Sequence, residues 1–180
     1  MMQIRDALPQ DAAALSALKL ATFRETFLQD FAIPYPPADL AIFEAETYGV
    51  SRIAAELADP AHRHWVVEAD GKLVAYAHVG PCKLPHPEVK PGDMELCQLY
   101  LLKSAQGLGL GKRLLDHALA FLDTLDAPVW LGVWSGNDRA QSLYRARSFV
   151  AQGGYKFSVG TWQDDEIIMR RLISPAWTGD

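Results

Sequence analysis

A glycine-rich loop between a predicted strand and a predicted helix constrains the fold of this chain more than any other feature. Alternating glycines allow the backbone to turn tightly and to approach a ligand closely. The free N–H groups where the next helix begins, together with the helix dipole, form a donor array suited to a phosphate. The loop consists of Gln106, Gly107, Leu108, Gly109, Leu110, Gly111 and Lys112.

The position and spacing of this loop argue against two common nucleotide-binding motifs. A dinucleotide-binding fold would carry GxGxxG after its first strand, with an acidic residue about 20 positions further on. Here the glycines come after position 100, and their spacing is QxxGxG. A Walker P-loop would need Ser or Thr after Lys112, where this chain has Arg113. A glycine-rich helix entry that binds no ligand is the alternative.

The order of apolar patterns predicts a single mixed α/β domain. The 180 residues are 49% hydrophobic and 22% charged, which is ordinary for a globular protein. Strands and helices meet around the glycine loop, and Asp70-Gly71 predicts a hairpin turn. We expect the domain over residues 1–173 and a tail over 174–180. The predicted strands are 2–6, 64–69, 72–79, 94–102, 128–134, 149–159 and 166–173, and the predicted helices are 11–31, 38–58, 107–125 and 137–147.

A second motif follows the loop. Asn137, Ala140 and Tyr144 form an NxxAxxxY pattern, with Phe149 behind it. Together with QxxGxG at 106–111, this pattern resembles the GCN5-related N-acetyltransferases (GNAT). The resemblance implies the GNAT (acyl-CoA N-acyltransferase) fold, an α/β fold with a mixed central sheet of about seven strands and flanking helices. It also implies acetyl-CoA as cosubstrate, no metal and a homodimer.

The resemblance assigns the residues that bind acetyl-CoA. Backbone groups of Leu99 and Leu101 would pair with the pantetheine arm as if it were an added strand. Their separation from the next strand would create the slot, and the glycine loop would bind the pyrophosphate. The expected cofactor-binding residues are Leu99, Tyr100, Leu101, Asn137 and Ala140, together with the loop from Gln106 to Lys112.

Tyr144 is the expected general acid. A phenol with a pKa of about 10 is protonated at neutral pH and can donate a proton to the departing thiolate of coenzyme A. The alternative is a core aromatic on an amphipathic helix, but the spacing from Asn137 and Ala140 favours the catalytic role.

The acceptor side departs from the family branch that the chain resembles most. Bacterial spermidine/diamine acetyltransferases usually carry a glutamate where this chain has Cys97, and a glycine where it has Ser148. Glu95 lies two residues before Cys97 and therefore on the same strand face. Glu95 is the candidate base, and an exposed strand-end carboxylate is the alternative. The branch resemblance rests on residues 22–27, 95–101, 129–134 and 159–169.

Four residues are candidates for contacting the acceptor. Phe27 in the first helical region could form an apolar wall, and Glu25 could bind an ammonium group. Cys97 and Trp130 are the strand candidates. Aromatic and apolar stripes at these spacings more often pack in a core, which is the alternative for Phe27 and Trp130.

Composition restricts the partners. A net charge of -5 and a pI near 5.5 argue against a nucleic-acid binder. Cys82 and Cys97 stand 15 residues apart without a CxxC pair, and the histidines form no spacing typical of a metal site. No stretch reaches the 18 apolar residues of a membrane span, so we expect no membrane partner and a cytoplasmic location.

The sequence therefore predicts an acetyl-CoA-dependent N-acetyltransferase. The expected acceptor is a small-molecule primary amine, such as a polyamine. A protein or peptide N-acetyltransferase and a non-catalytic acetyl-CoA sensor are the two alternatives.

Overall fold

The computed structural model describes residues 2–172 and contains a seven-stranded sheet. Its strands are β1 (Gln3–Asp6), β2 (Arg63–Ala69), β3 (Lys72–Pro81), β4 (Met94–Leu101), β5 (Val129–Trp134), β6 (Val150–Val159) and β7 (Trp162–Arg171). They lie in the order β1-β2-β3-β4-β5-β7-β6. Neighbouring strands are antiparallel except β4 and β5, which are parallel. The predicted mixed sheet is confirmed. Ile173 and the predicted tail lie outside the described residues.

Within the described residues, five α-helices flank the sheet: α1 (Ala12–Phe23), α2 (Pro37–Tyr48), α3 (Val50–Ala58), α4 (Leu110–Leu122) and α5 (Asp138–Arg145). The helical region predicted over 38–58 is present as two helices, because Gly49 adopts an extended conformation with ψ of 143° and separates α2 from α3. The helix predicted over 11–31 also changes character. Its α-helical part ends at Phe23, and Arg24–Asp30 continues as a π-helix. Such wider turns frequently lie at functional sites.

Backbone conformation shifts two further boundaries. Gly107 and Gly109 have positive φ, so α4 begins at Leu110 and not at the predicted position 107. At the other end of the chain, Gly160 has a φ of +56° and forms a tight turn. Pairing of β6 with β7 can therefore begin at Val159 and Trp162, four residues before the predicted start of the last strand.

The two faces of the sheet carry different layers. Helix α4 packs buried leucines such as Leu114 and Leu115 on one side, which we call the α4 face. Helices α1 and α3 pack Leu15 and Ile53 against Tyr76 on the other side, the α1–α3 face. The stripe of buried residues at helical spacing in α4 explains why that helix docks along one side only.

Strands β4 and β5 separate soon after they begin. In the described chain they pair at only two positions, Met94 with Val129 and Glu95 with Trp130. Beyond this point the facing edges of Leu96–Leu101 and Leu131–Trp134 diverge, and we call the gap between them the split. The expected separation of Leu101 and its neighbours from the next strand is present. The split is the central feature of the candidate site.

Candidate active site

The edge of β4 that faces the split directs backbone groups away from the sheet ladder. Leu102 donates its N–H to the Val74 carbonyl at 2.9 Å, and Tyr100 stands opposite Tyr76 in the same register. In an antiparallel ladder, hydrogen-bonded and non-hydrogen-bonded pairs alternate. The backbone N–H and C=O groups of Leu99 and Leu101 must therefore point away from β3 and into the split.

Gln106 joins this edge to the glycine loop and to α5. Its side-chain amide donates to the Leu101 carbonyl at 3.3 Å, and its amide oxygen accepts from Arg139 at 3.1 Å. One side chain thus holds three segments together at the mouth of the split.

The glycine loop presents a row of free donors. Gly107 and Gly109 have φ of +83° and +71°, and a Cβ added at either position would meet no neighbouring atom within 4 Å. Glycine is therefore required there by backbone conformation and not by crowding. Within residues 2–172, no hydrogen-bond partner accepts from the backbone N–H groups of Gly107–Lys112. Leu108 is 65% exposed, so these donors are open to solvent. Such an array fits a pyrophosphate.

Residues in the first turn of α4 explain the fixed position of the loop. The Leu110 side chain is buried in the core below α4, whereas Lys112 is exposed. Gly111 lies against the β4 edge, where an added side-chain carbon would come 3.6 Å from Leu101. The start of α4 is thereby anchored beside the split.

Tyr144 and Asn137 are brought to the same place by α5. The Asn137 side chain accepts the Ala140 N–H at 3.0 Å and caps the helix. Tyr144 packs edge-on against Phe149 and in the same core cluster as Leu99 and Leu101. Its hydroxyl has no hydrogen-bond partner among the described residues, and it is not fully enclosed. Burial raises the pKa of Tyr144, so the hydroxyl keeps its proton at neutral pH.

Glu95 stands where the split begins. It is the last residue of β4 that pairs with β5, and its carboxylate accepts the Lys83 N–H at 3.0 Å. Its neighbour Leu96 packs on the α4 face, so the Glu95 side chain points to the α1–α3 face. Burial raises the pKa of Glu95, which suits a group that must accept a proton near neutral pH.

Cys97 lies at a bulge in β4, because the register passes from Leu96 opposite Val79 directly to Gln98 opposite His78. Burial raises the pKa of the Cys97 thiol, and the charge of Glu95 raises it further. The thiol therefore stays protonated, as expected of a packing residue and not of a nucleophile.

Three predicted site residues have other positions or partners. Tyr100 pairs its backbone with β3, and its ring lies on the α1–α3 face, so it is removed from the coenzyme side of the split. Glu25 accepts the Lys103 N–H at 2.8 Å and ties the π-helix to the end of β4. Trp130 is fully buried and donates to Asp93 at 2.7 Å, which explains its packing role. Phe27 does face this region, with its ring centroid 6.2 Å from that of Tyr100.

Sequence reasoning missed Glu166 and Tyr155, which lie on the α1–α3 face. Glu166 stands opposite Trp134 on β5 and Tyr155 on β6. The spacing of Tyr155 and Glu166 in the sequence matches no motif. Only the pairing of β6 with β7 places these two residues side by side. The alternation of Asp164, Glu166 and Ile168 was the one local signal for a shared face.

A buried polar cluster beside β2 and β3 fits an internal ion pair and not a metal ion. Glu56, His64 and His78 offer ligand atoms within 4.8 Å of one another. The Lys19 ammonium, however, already lies 3.2 Å from the Glu56 carboxylate and 3.4 Å from the His64 ring. It supplies the positive charge that this carboxylate needs, and His78 bonds to His62 at 2.9 Å instead.

The family comparison agrees with this geometry. Residues 20–149 match the model of the acetyltransferase (GNAT) family. The chain belongs to the GNAT family. It is 30% identical over 166 residues to an uncharacterized N-acetyltransferase of Mycobacterium bovis, which covers 91% of this chain and 98% of the relative.

Two solved structures share the fold of this GNAT protein. One is the PaiA N-acetyltransferase of Thermoplasma acidophilum in complex with coenzyme A, with a TM-score of 0.73, 18% identity, and coverage of 96% of this chain and 99% of the other. The second is YncA of Salmonella typhimurium with acetyl-CoA, with a TM-score of 0.64, 21% identity, and coverage of 100% and 98%.

Family membership identifies the chain as an acetyl-CoA-dependent N-acetyltransferase of the GNAT kind. The unpaired edge of β4 and the open N–H groups of the loop fit the elongated, polyanionic cosubstrate of such enzymes. No helix within residues 2–172 of this GNAT protein is long and apolar enough to cross a membrane.

Proposed function

We propose that this GNAT enzyme transfers the acetyl group of acetyl-CoA to a primary amine of a small cationic molecule, such as a polyamine. The observation that supports this most is the meeting of three features at the split. These are the edge of β4 at Leu99 and Leu101 that no strand covers, the open N–H groups of the loop, and the unpartnered Tyr144 hydroxyl.

The residues at the split divide the task of binding the donor. The backbone of Leu99 and Leu101 binds the pantetheine arm, and the N–H groups of Gly107–Lys112 bind the pyrophosphate. Gln106 fixes the distance between these two parts through its bond to Leu101. A backbone N–H in the split is also placed to polarise the thioester oxygen, because preorganised donors stabilise charge that develops there.

Acetyl-CoA supplies the acetyl group as an activated thioester. The acceptor must attack as a neutral amine, so Glu95 takes its proton, directly or through water. The amine nitrogen forms a bond to the acetyl carbon while the carbon–sulfur bond breaks. The electron pair of that bond goes to sulfur, and Tyr144 donates a proton to the resulting thiolate.

The charge of the acceptor side favours a cationic substrate. Carboxylates of Glu95 and Glu166 both point to the α1–α3 face beside the split. Aromatic rings accompany them there, including Phe27, Phe31 and Trp134. Carboxylates and aromatic faces are the groups that bind ammonium ions in proteins.

Thiol release from acetyl-CoA tests this function. Purified protein is assayed against polyamines, amino acids, aminoglycosides and peptides with free N-termini, with Tyr144→Phe as the matched control. We expect turnover with polyamines or similar small amines and a strongly reduced rate in the variant. Turnover confined to peptides would favour the peptide alternative. Tight acetyl-CoA binding without turnover on any amine would favour the sensor.

A further inference from the structure

Glu166 occupies an unusual position for a carboxylate. It lies in the middle of β7, opposite Trp134 on one side and Tyr155 on the other. Its neighbour Ile167 packs on the α4 face, so Glu166 points to the α1–α3 face. The side chain is therefore surrounded by strands and aromatic residues, and not placed at an exposed loop.

Within the part of the chain that the structure describes, the carboxylate of Glu166 has no partner. No hydrogen bond or ion pair within residues 2–172 involves its oxygens, and these atoms are not sealed from solvent. Burial raises the pKa of Glu166 to about 8, and the charge of Asp164 adds to this. An unpaired, half-buried carboxylate destabilises the folded state, so a purely structural role does not explain it.

The adjacent acid on the same face shows the contrast. Asp164 accepts from the Tyr35 hydroxyl at 2.5 Å and from the Trp162 ring N–H at 2.8 Å. Both of its oxygens are used within the fold. Asp164 therefore has a structural explanation that Glu166 lacks.

Glu166 and Glu95 face a common space around Tyr155. Burial raises the pKa of the Tyr155 hydroxyl, and the negative charges of Glu166 and Glu95 raise it further. Glu95 stands opposite Trp130 of β5, and Glu166 stands opposite Trp134 four residues further along the same strand, so the two carboxylates lie on one face of the sheet. The hydroxyl lies over Gly132 of β5, where an added side-chain carbon would come within 3.1 Å of it. Gly132 lies between Trp130 and Trp134 on β5, so the hydroxyl stands between the two carboxylates, and glycine leaves room for it there.

We propose that Glu166 binds a second cationic group of the acceptor, while Glu95 serves the amine that is acetylated. The assignment rests on the proposed function and narrows it to amines that carry another positive charge. A dication can interact with one carboxylate at each end of this space, with the Tyr155 hydroxyl between them. A monoamine has no group to place at Glu166.

Direct binding tests this role without relying on turnover. Protein saturated with coenzyme A is titrated calorimetrically with 1,4-diaminobutane and with n-butylamine, which has the same carbon chain and one charge fewer. We expect the diamine to bind more tightly than the monoamine. The second ammonium group favours the ionised form of Glu166, whose pKa burial raises to about 8 in the free protein. Glu166→Gln should therefore weaken diamine binding about tenfold or more and leave monoamine binding unchanged, because the charged hydrogen bond to that group is lost.

Asp165→Asn is the matched control. It removes a charge from the neighbouring position of β7, where Asp165 is exposed and pairs with Lys156. This variant should bind both amines as the parent does. Equal diamine affinity in Glu166→Gln and the parent would overturn the assignment, and so would a parent that binds both amines equally.

Steady-state kinetics separate binding from chemistry. With a diamine acceptor, Glu166→Gln should raise KM about tenfold and change kcat less than about threefold. A large fall in kcat with both amines would instead place Glu166 in the chemical step and overturn the binding role. Absence of turnover in the parent, with intact diamine binding, would count against the proposed function and not against Glu166.

Thermal unfolding checks that Glu166→Gln still folds. Above pH 8, where the buried carboxylate of the parent is ionised, the unfolding temperature of Glu166→Gln should be no lower than that of the parent. This result excludes misfolding as the cause of weaker diamine binding.

Discussion

The side-chain amide of Gln106 donates a hydrogen bond to the main-chain carbonyl of Leu101 at 3.3 Å and so fixes the glycine loop against the open edge of β4. The same side chain accepts from Arg139 of α5. Both halves of the donor site therefore depend on one residue. Gln106→Ala should lower acetyl-CoA affinity about fivefold, since a half-buried hydrogen bond is worth about 1 kcal/mol and this one aligns two binding segments. Calorimetric titration measures this, and an unchanged Kd would contradict the role.

Substitution of Gly109 tests the donor array. Gly109→Ala places a side chain at a φ of +71°, which costs about 1–2 kcal/mol and shifts the loop away from its native conformation. Acetyl-CoA affinity should fall. Gly92→Ala is the control, because Gly92 also has a positive φ, of +96°, but lies in the loop before β4. Equal acetyl-CoA affinity in the two variants would remove the loop from the binding site.

Removal of the Tyr144 hydroxyl should slow the chemical step. General acids typically contribute about 10²–10⁴ in rate, so Tyr144→Phe should lower kcat at least about 100-fold and leave acetyl-CoA affinity nearly unchanged. Tyr48→Phe removes a buried hydroxyl from a different core cluster and should keep the parent rate. A Tyr144→Phe enzyme as fast as the parent would refute the assignment.

The histidines beside Lys19 should make folding sensitive to acid. Burial lowers the pKa of His78 to about 2, with the positive charges of its neighbours adding to this, and burial also lowers the pKa of His64. The unfolded chain binds protons at these rings from about pH 6.5 downward, while the folded protein does not. Stability is therefore complete above pH 6.5 and falls as the pH decreases, by about 1.4 kcal/mol per pH unit for His78 alone.

Urea unfolding at pH 7 and pH 5 measures this effect. The free energy of unfolding should be at least about 2 kcal/mol lower at pH 5. In His78→Gln the difference between the two pH values should shrink, since one titrating ring is gone. Equal stability of the parent at both pH values would show that these rings are protonated in the folded state as well.

Ser148 connects α5 to β6 in a left-handed conformation, with a φ of +66°. A glycine would adopt this conformation with less strain than a serine. Ser148→Gly should stabilise the protein by roughly 0.5–1 kcal/mol, because relief of the strain outweighs the greater freedom of glycine in the unfolded chain. Thermal unfolding measures the shift, and a lower midpoint would show that the serine side chain contributes a contact that offsets the strain.

The coenzyme side was predictable from the sequence because its parts are local. The loop from Gln106 to Lys112 and the helix from Asn137 to Tyr144 each carry their chemistry within a few residues, and their spacing alone indicated where the backbone must turn. The hairpin at Asp70-Gly71 was predictable for the same reason.

The acceptor side depends on pairing across the sheet. Glu95, Tyr155 and Glu166 lie on three strands and share one face of the sheet because β7 inserts between β5 and β6. No spacing in the sequence encodes that insertion. The cluster of Lys19 and Glu56 is likewise assembled by the docking of α1 and α3, and a lysine buried to 1% exposure has no local signal.

The most direct test of the account quantifies both products of one reaction. Purified protein, acetyl-CoA and 1,4-diaminobutane are incubated together, and released thiol and N-acetylated amine are measured by absorbance and mass spectrometry. Direct transfer at the split predicts one acetylated amine for each thiol, with both lost together in Tyr144→Phe. Thiol release without acetylated amine, or no release from a protein that binds acetyl-CoA tightly, would contradict it.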